Sequence, residues 1–188
     1  MLYSKEGNYT IKDLLDFLEE RKGLLDAVVL SGGEATSHSL LPICQAIKKL
    51  GFKIKLDSNG LNHDLISELV EKELIDYIAL DFKAPEYKFE HVTQTNQYHK
   101  FKKSLTFLIE KKFDFEVRTT LHADLLNTYD VNQMISTLSE LGYDKTYYLQ
   151  HFLETPTNVG NIKEAKTYFD ESKIVQDKLV IEYRNTLS

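Results

Sequence analysis

The chain has 188 residues, 42% of them hydrophobic and 28% charged, with a formal net charge of -6. That balance is ordinary for a soluble globular protein with one sizeable core. It excludes a protein built to coat nucleic acid, because counterion release needs clustered Lys and Arg, and the pairs Lys102-Lys103 and Lys111-Lys112 sit among acids as solvated helix faces. No apolar run is long enough to cross a bilayer. The N-terminus has no signal-peptide core, and the single cysteine, Cys44, excludes an internal disulfide. A cytoplasmic protein with neither a membrane nor a nucleic-acid partner is expected.

Thr10 opens the first helix. Asp13 makes a box-like start, and Leu14, Leu15, Phe17 and Leu18 form an apolar stripe that stops at Gly23. Residues 24–31 read as a buried strand that breaks into Ser31-Gly32-Gly33-Glu34. Residues 39–50 read as a helix closed by Gly51 just past its end. The pattern then repeats. A strand over 53–57 stops at the turn signal Ser58-Asn59-Gly60, and a helix follows over 63–72. A strand over 75–82 ends near Lys83-Ala84-Pro85 and leads to a longer helix over 97–112. Next come a strand over 113–121, a helix over 130–141 and a strand over 146–152. Beyond these the pattern predicts a loop over 154–160 containing Pro156, a short helix near 162–169 and a last strand near 178–183.

Five strand-then-helix units in a row imply an α/β fold of parallel strands joined by right-handed crossovers, with the helices outside. There is no linker and no low-complexity segment. The expected organisation is a single domain over 1–188, with a core over 9–152 and a C-terminal extension over 153–188. The pattern favours an open or partly closed barrel over a sandwich and leaves barrel against doubly wound sheet open. No Gly-x-Gly-x-x-Gly and no Walker loop follows any strand, so dinucleotide and P-loop readings are poor.

Polar residues collect at the strand ends: Ser31 and Glu34; Asp57, Ser58 and Asn59; Asp81 and Lys83; Arg118, Thr119 and Thr120; Gln150 and His151. In a parallel sheet these ends share one rim, where α/β proteins bind their ligands. Gly32 and Gly33 would let the backbone approach a ligand closely. Asp81 and Lys83 are two apart and point to the same side of their strand. A lone buried charge is costly, so such a pair needs partners, and a zwitterionic ligand would supply them. Taken singly, each residue has a plainer explanation. Asp57 could cap a turn, Asp81 and Lys83 could be a structural ion pair, and Arg118 could point outward. Five strand ends with the same behaviour point to a site.

The order Ser31-Gly32-Gly33-Glu34, Asp57-Ser58-Asn59-Gly60, Asp81-Phe82-Lys83-Ala84-Pro85, Arg118-Thr119-Thr120 and Tyr148-Leu149-Gln150 resembles that of radical S-adenosylmethionine enzymes. Within them it resembles the activating proteins of glycyl-radical enzymes, most of all the anaerobic ribonucleoside-triphosphate reductase activating type. The resemblance runs from about residue 9 to residue 152 and implies a partial (βα) barrel of parallel strands with outer helices, its first strand missing. The activity it implies is reductive cleavage of S-adenosylmethionine by a [4Fe-4S] cluster, giving a 5′-deoxyadenosyl radical that takes hydrogen from a glycine of the partner. The implied partners are a glycyl-radical enzyme, such as anaerobic ribonucleotide reductase, and an electron donor such as flavodoxin.

By the same resemblance Ser31, Gly32, Gly33 and Glu34 would bind the methionine amino end of S-adenosylmethionine, with Asp57 and Ser58 beside it. Asp81 and Lys83 would lie near the cofactor and a monovalent cation. Arg118 would reach the carboxylate or ribose, and His151 matches a late-strand histidine of some activases. Ala35 stands where relatives carry proline. The family's Cys-x-x-x-Cys-x-x-Cys loop, which would precede residues 2–7, has no counterpart here, and Cys44 reads as a small core residue. The implication is a piece of a longer activase or a cluster-less paralogue, with no cluster and no radical activity expected from this chain alone. The alternative function is a cluster-less module that binds S-adenosylmethionine, a nucleoside or a protein partner. A missing first strand would expose a sheet edge, and self-association through it is expected.

Overall fold

The computed structural model describes residues 9–154 and 162–185. Residues 2–7 and most of the loop expected around Pro156 lie outside them. The helices are α1 (Ile11–Glu19), α2 (Leu41–Lys49), α3 (His63–Glu71), α4 (Glu86–Thr93), α5 (Tyr98–Glu110) and α6 (Thr128–Glu140). The strands are β1 (Ala27–Leu30), β2 (Lys53–Ser58), β3 (Tyr77–Asp81), β4 (Phe115–Leu121), β5 (Tyr147–His151) and β6 (Ile181–Arg184). Two short 3₁₀ turns lie at Ala35–Ser37 and Glu171–Lys173.

All six strands are parallel and lie in sequential order, β1-β2-β3-β4-β5-β6. A doubly wound sheet reverses its strand order at a switch point. This sheet has no reversal, so same-handed crossovers carry the helices to one face and leave the other free. The sheet is thus a partial barrel with outer helices. Residue burial divides the two faces by strand alternation. Ile54, Leu56, Ile78, Leu80, Val117 and Leu149 are fully buried against the helices, while their neighbours Lys55, Asp57, Asp81 and Arg118 are half-buried on the opposite face.

Local signals explain the elements. Thr10 and Asp13 form a reciprocal capping box at the start of α1, and Asn127 and Asp130 form another at α6. Asp130 is buried and also accepts from Tyr87 Oη at 2.6 Å and Lys88 Nζ at 2.7 Å, which ties α4 to α6. Phe82, Phe89, Tyr98 and Phe101 stack into one aromatic cluster under the rim, with Phe82 and Phe101 4.7 Å apart. Gly60 ends β2 with φ +74°, and a Cβ there would lie 2.8 Å from Leu80 and 3.1 Å from Phe101. Gly60→Ala is therefore expected to cost about 2 kcal/mol, from the left-handed backbone and from overpacking. The urea midpoint checks this, and an unchanged midpoint would refute the tight approach.

Two expectations are corrected. Residues 24–31 do not form a buried strand: β1 is four residues long and lies at the sheet edge, with Val29 55% exposed. An apolar run reads alike at an edge and at a centre, because only the neighbouring strand decides its burial. Residues 162–169 are not helical. Their backbone groups bond to side chains elsewhere: Glu164 N donates to Glu154, Lys166 and Thr167 N donate to Asp124, and the Lys163 carbonyl pairs with His122. An i→i−4 ladder would need those same groups. The last strand was expected at 178–183 and forms at β6, paired with β5.

Candidate functional site

The rim is built from the residues that end the strands. After β1 the chain turns through Gly32 and Gly33 with φ +99° and +57°, and a Cβ on either would meet nothing within 4 Å. Ser31 and both glycines are exposed. Glu34 turns back into the protein. Its Oε1 accepts from Thr36 Oγ1 at 2.6 Å, Thr36 N at 3.2 Å and Ser58 Oγ at 2.8 Å, and its Oε2 accepts from Asn59 N at 2.7 Å. Asn62 Nδ2 adds a bond to the Thr36 carbonyl at 2.8 Å. The glutamate thus clamps the Gly-Gly loop to the end of β2, and its oxygens are occupied by the protein itself.

On the open face of the sheet a chain of charges runs across three strands. Arg118 Nε donates to Asp81 Oδ1 at 2.5 Å, and Arg118 NH2 lies 3.3 Å from Asp57 Oδ2. Lys83 Nζ donates to the other Asp81 oxygen at 2.7 Å. The register opposes Asp81 to Arg118, which brings the two into contact. Burial works against the charged form of Asp81, but Lys83 and then Arg118 outweigh it and hold the carboxyl below the usual range. Asp57 Oδ1 differs from the rest of the chain. It is buried with no hydrogen-bond partner among the described residues, and Lys55 Nζ lies 3.7 Å from it. A buried carboxylate oxygen left without a donor is the kind of group a bound cation satisfies.

Not every predicted residue joins this chain. Ser58 serves the Glu34 clamp. Thr119 faces the helices and bonds to the Phe82 carbonyl at 2.6 Å, whereas Thr120 lines the rim cavity. His151 leaves the sheet on the face opposite Gln150, lies 3.1 Å from Glu171 and stacks on Tyr183, so the structure does not bring it to the other site residues. Sequence reasoning missed a second row of charges. Glu116 accepts a two-bond grip from Arg184, at 3.0 and 2.8 Å, and a bond from Tyr77 Oη at 3.3 Å, while Arg184 stacks 3.5 Å over Tyr148. Alternation along Lys53-Ile54-Lys55-Leu56-Asp57 signalled a polar face, but nothing in the sequence paired Glu116 with a residue 68 positions on.

A cavity of about 510 Å³ opens at the ends of β2 to β5, within the range of small-molecule sites. Gly33, Asn59, Lys83 and Thr120 are among its polar lining residues, and Phe89, Val92, Leu125, Leu126 and Phe152 among its apolar ones. A separate cleft of about 560 Å³ lies between the Glu34 loop and the first turns of α3 and α5; Glu34 and Asn59 line it, whereas Asp57, Asp81, Lys83 and Arg118 do not.

The fold is that of the radical S-adenosylmethionine enzymes. Streptococcus suis SuiB bound to S-adenosylmethionine superposes with a TM-score of 0.70 at 14% identity, over 96% of this chain and 44% of that one. A domain of pyruvate-formate lyase-activating enzyme from Bacteroides vulgatus superposes with a TM-score of 0.58 at 15% identity, over 70% of this chain and 86% of that domain. No protein-family model matches the chain. In sequence it is 28% identical over 162 residues to a protein of Methanocaldococcus jannaschii named as a glycyl-radical enzyme activating enzyme. That match covers 81% of this chain and 64% of the relative's length. Sequence likeness and fold both support the resemblance to radical S-adenosylmethionine enzymes that the motif order implied.

The residues present do not fit the family's cluster. Cys44, the one cysteine, is fully buried in α2, and burial pushes its thiol up to about 11. Cluster irons need several thiolates. Among the described residues no three metal-binding side chains come together, and no helix is long and apolar enough to cross a membrane.

Proposed function

We propose that the rim of this partial barrel binds S-adenosylmethionine, in the manner of a glycyl-radical enzyme activating enzyme. The reading is carried by Asp57 Oδ1, which is buried with no hydrogen-bond partner among the described residues and has Lys55 Nζ 3.7 Å away. It lies in a chain of fixed charges at the strand ends, beside a turn whose two glycines leave open space for a ligand. S-adenosylmethionine has an α-ammonium for that oxygen and a carboxylate for Lys83 or the free amides of the Gly32-Gly33 turn. Each of these residues is fixed before any ligand arrives, Lys83 and Arg118 by Asp81 and the turn by Glu34. Preorganised groups of this kind lower the ordering cost of binding.

The role assigned to this chain is to bind and orient the molecule. In the family, reductive cleavage depends on the four-iron cluster, which the chain's own residues do not hold. The proposed partner is a glycyl-radical enzyme, supported by the name of the Methanocaldococcus jannaschii relative and by the shared fold. Titration calorimetry with S-adenosylmethionine tests the reading. The wild-type chain should give saturable binding, and Asp57→Ala and Lys83→Ala should each weaken it at least tenfold, the loss expected for a hydrogen bond to a charged group. No heat from the wild type, or wild-type affinity in both variants, would overturn it.

A further inference from the structure

The geometry points to a second ligand site: the cleft between the Glu34 loop and the first turns of α3 and α5 binds a phosphate group, free or carried by a small molecule. The site goes beyond the rim-binding reading above and does not rest on it.

The cleft's volume of about 560 Å³ is within the range of small-molecule sites. His63 of α3 and His99, Lys100 and Lys103 of α5 line it. Positions 99, 100 and 103 share one face of α5, because residues three and four apart are neighbours on a helix. Two acids also line the cleft, and neither engages a lysine at hydrogen-bond distance. The oxygens of Glu34 are taken by Thr36, Ser58 and Asn59. The Asp64 side chain is 96% exposed and stands 3.9 Å from Lys103 Nζ, and water largely screens such a pair. Among the described residues Lys100 has no carboxylate partner. The field at His63 agrees. Burial and then Lys103 hold its ring below the ordinary histidine range, against the weaker pull of Asp64.

These cations stand where a helix least favours them. The start of a helix is the positive end of its dipole, so cations in the first turns destabilise it. Like charges three or four apart add to that cost. Nothing at the start of α5 offsets it: the first turn holds no acid, and Gln97 at the N-cap makes no side-chain bond. An anion in the cleft relieves both costs at once. Local rules broken in this way mark functional sites. The donor set selects phosphate. Two ammonium groups and two imidazoles drawn from two helices suit a tetrahedral dianion, which accepts from several directions, better than a planar carboxylate. Leu61 adds an apolar surface for the carbon part of a phosphorylated molecule.

The test titrates ribose 5-phosphate, ribose and inorganic phosphate into the full chain by calorimetry, in chloride buffer of constant ionic strength. The wild-type chain should bind ribose 5-phosphate saturably and ribose not at all. Lys100→Gln combined with Lys103→Gln should weaken that binding at least about tenfold, the loss expected for bonds to a charged group. Lys49→Gln combined with Lys53→Gln removes the same charge from exposed positions at the other end of β2. It should leave the affinity within about twofold, because distant charges are screened. Thermal unfolding adds a readout that a structural role would not give. Without phosphate the cleft variant should melt no lower than the wild type, since it sheds like charges at a helix start. Ribose 5-phosphate should then raise the melting temperature of the wild type and of the Lys49/Lys53 control but not of the cleft variant. Inorganic phosphate bound as tightly as ribose 5-phosphate upholds the site with the free ion as its ligand, and weaker phosphate binding upholds it with a phosphorylated small molecule. No saturable binding of either, or an equal loss in both double variants, overturns the inference. A cleft variant that melts well below the wild type without phosphate overturns it too, because the lysines would then serve the fold. Neither result bears on S-adenosylmethionine at the rim, which its own titration decides.

Discussion

Arg118→Met is expected to lower the free energy of unfolding by about 3 kcal/mol at neutral pH, the largest stability effect of any single change at the rim. Arg118 is held by two carboxylates at once, Asp81 through Nε and Asp57 through NH2. Its side chain is 17% exposed, and those of the acids are 24% and 18%. Methionine fills a similar volume but leaves Asp57 with no cation within 3.5 Å and Asp81 with Lys83 alone. Removing one member of a mostly buried cluster strands the others, and that penalty exceeds the net worth of the ion pairs. The expected value sits at the low end of the usual range because about one-fifth of each acid still meets water.

The sign with pH follows from Asp81, whose carboxyl lies below its ordinary value in the folded chain. A depressed carboxyl contributes stability that is fully present above the unfolded value, near about 3.9, and is lost as pH falls through the folded value. The gap between wild type and Arg118→Met should therefore be full at about pH 7 and shrink steadily below about pH 4. Urea unfolding across that span measures it. A gap that stays constant into acid would mean that the arginine acts through packing rather than charge.

Much of this arrangement was legible because it is local. The capping box of Thr10 and Asp13, the alternation through β2 and the breaks at Gly33 and Gly60 each lie within a few residues, and each marks what the structure contains. The strand ends could be placed on one rim because parallel strands leave no other choice. Whether the sheet curved as a barrel or reversed as a doubly wound sheet depended on which strands are neighbours, and only the sequential order decided that. Helix α4 escaped notice because Phe89 is its one buried residue and Tyr87 on it is exposed, so no apolar stripe announced it. The grip of Arg184 on Glu116 and the contact of His122 with Lys163 join residues 68 and 41 apart, and periodicity carries no such information. His151 was the histidine singled out by family likeness. Strand alternation turned it to the other face, and the histidine at the cavity is the one just past β4.

Glu34→Ala should have the second large effect, about 2 to 3 kcal/mol in stability together with loss of S-adenosylmethionine binding. Four hydrogen bonds converge on this one carboxylate, two from Thr36 in the 3₁₀ turn and one each from Ser58 and Asn59 at the end of β2. Thr36 and Ser58 are each only 2% exposed, so their donors cannot turn to water when the acceptor goes. Each buried donor left unpaired costs about 1 to 3 kcal/mol, and local relaxation of an exposed turn recovers part of the sum. Glu34→Gln sharpens the test. The amide has one acceptor oxygen and one donor nitrogen, so it can serve Asn59 N or Thr36 N but not both. The expected order of stability and of affinity is therefore wild type, then Gln, then Ala. Amide exchange at Thr36 and Asn59 should speed up in the same order while that of β3 and β4 stays slow, since the clamp holds the turn and the rest of the sheet does not depend on it. Equal behaviour of Gln and wild type would show that the side chain fills space without clamping. Affinity retained in Glu34→Ala, with exchange sped up as expected, would show that the Gly32-Gly33 turn is loosened yet is not part of the binding surface.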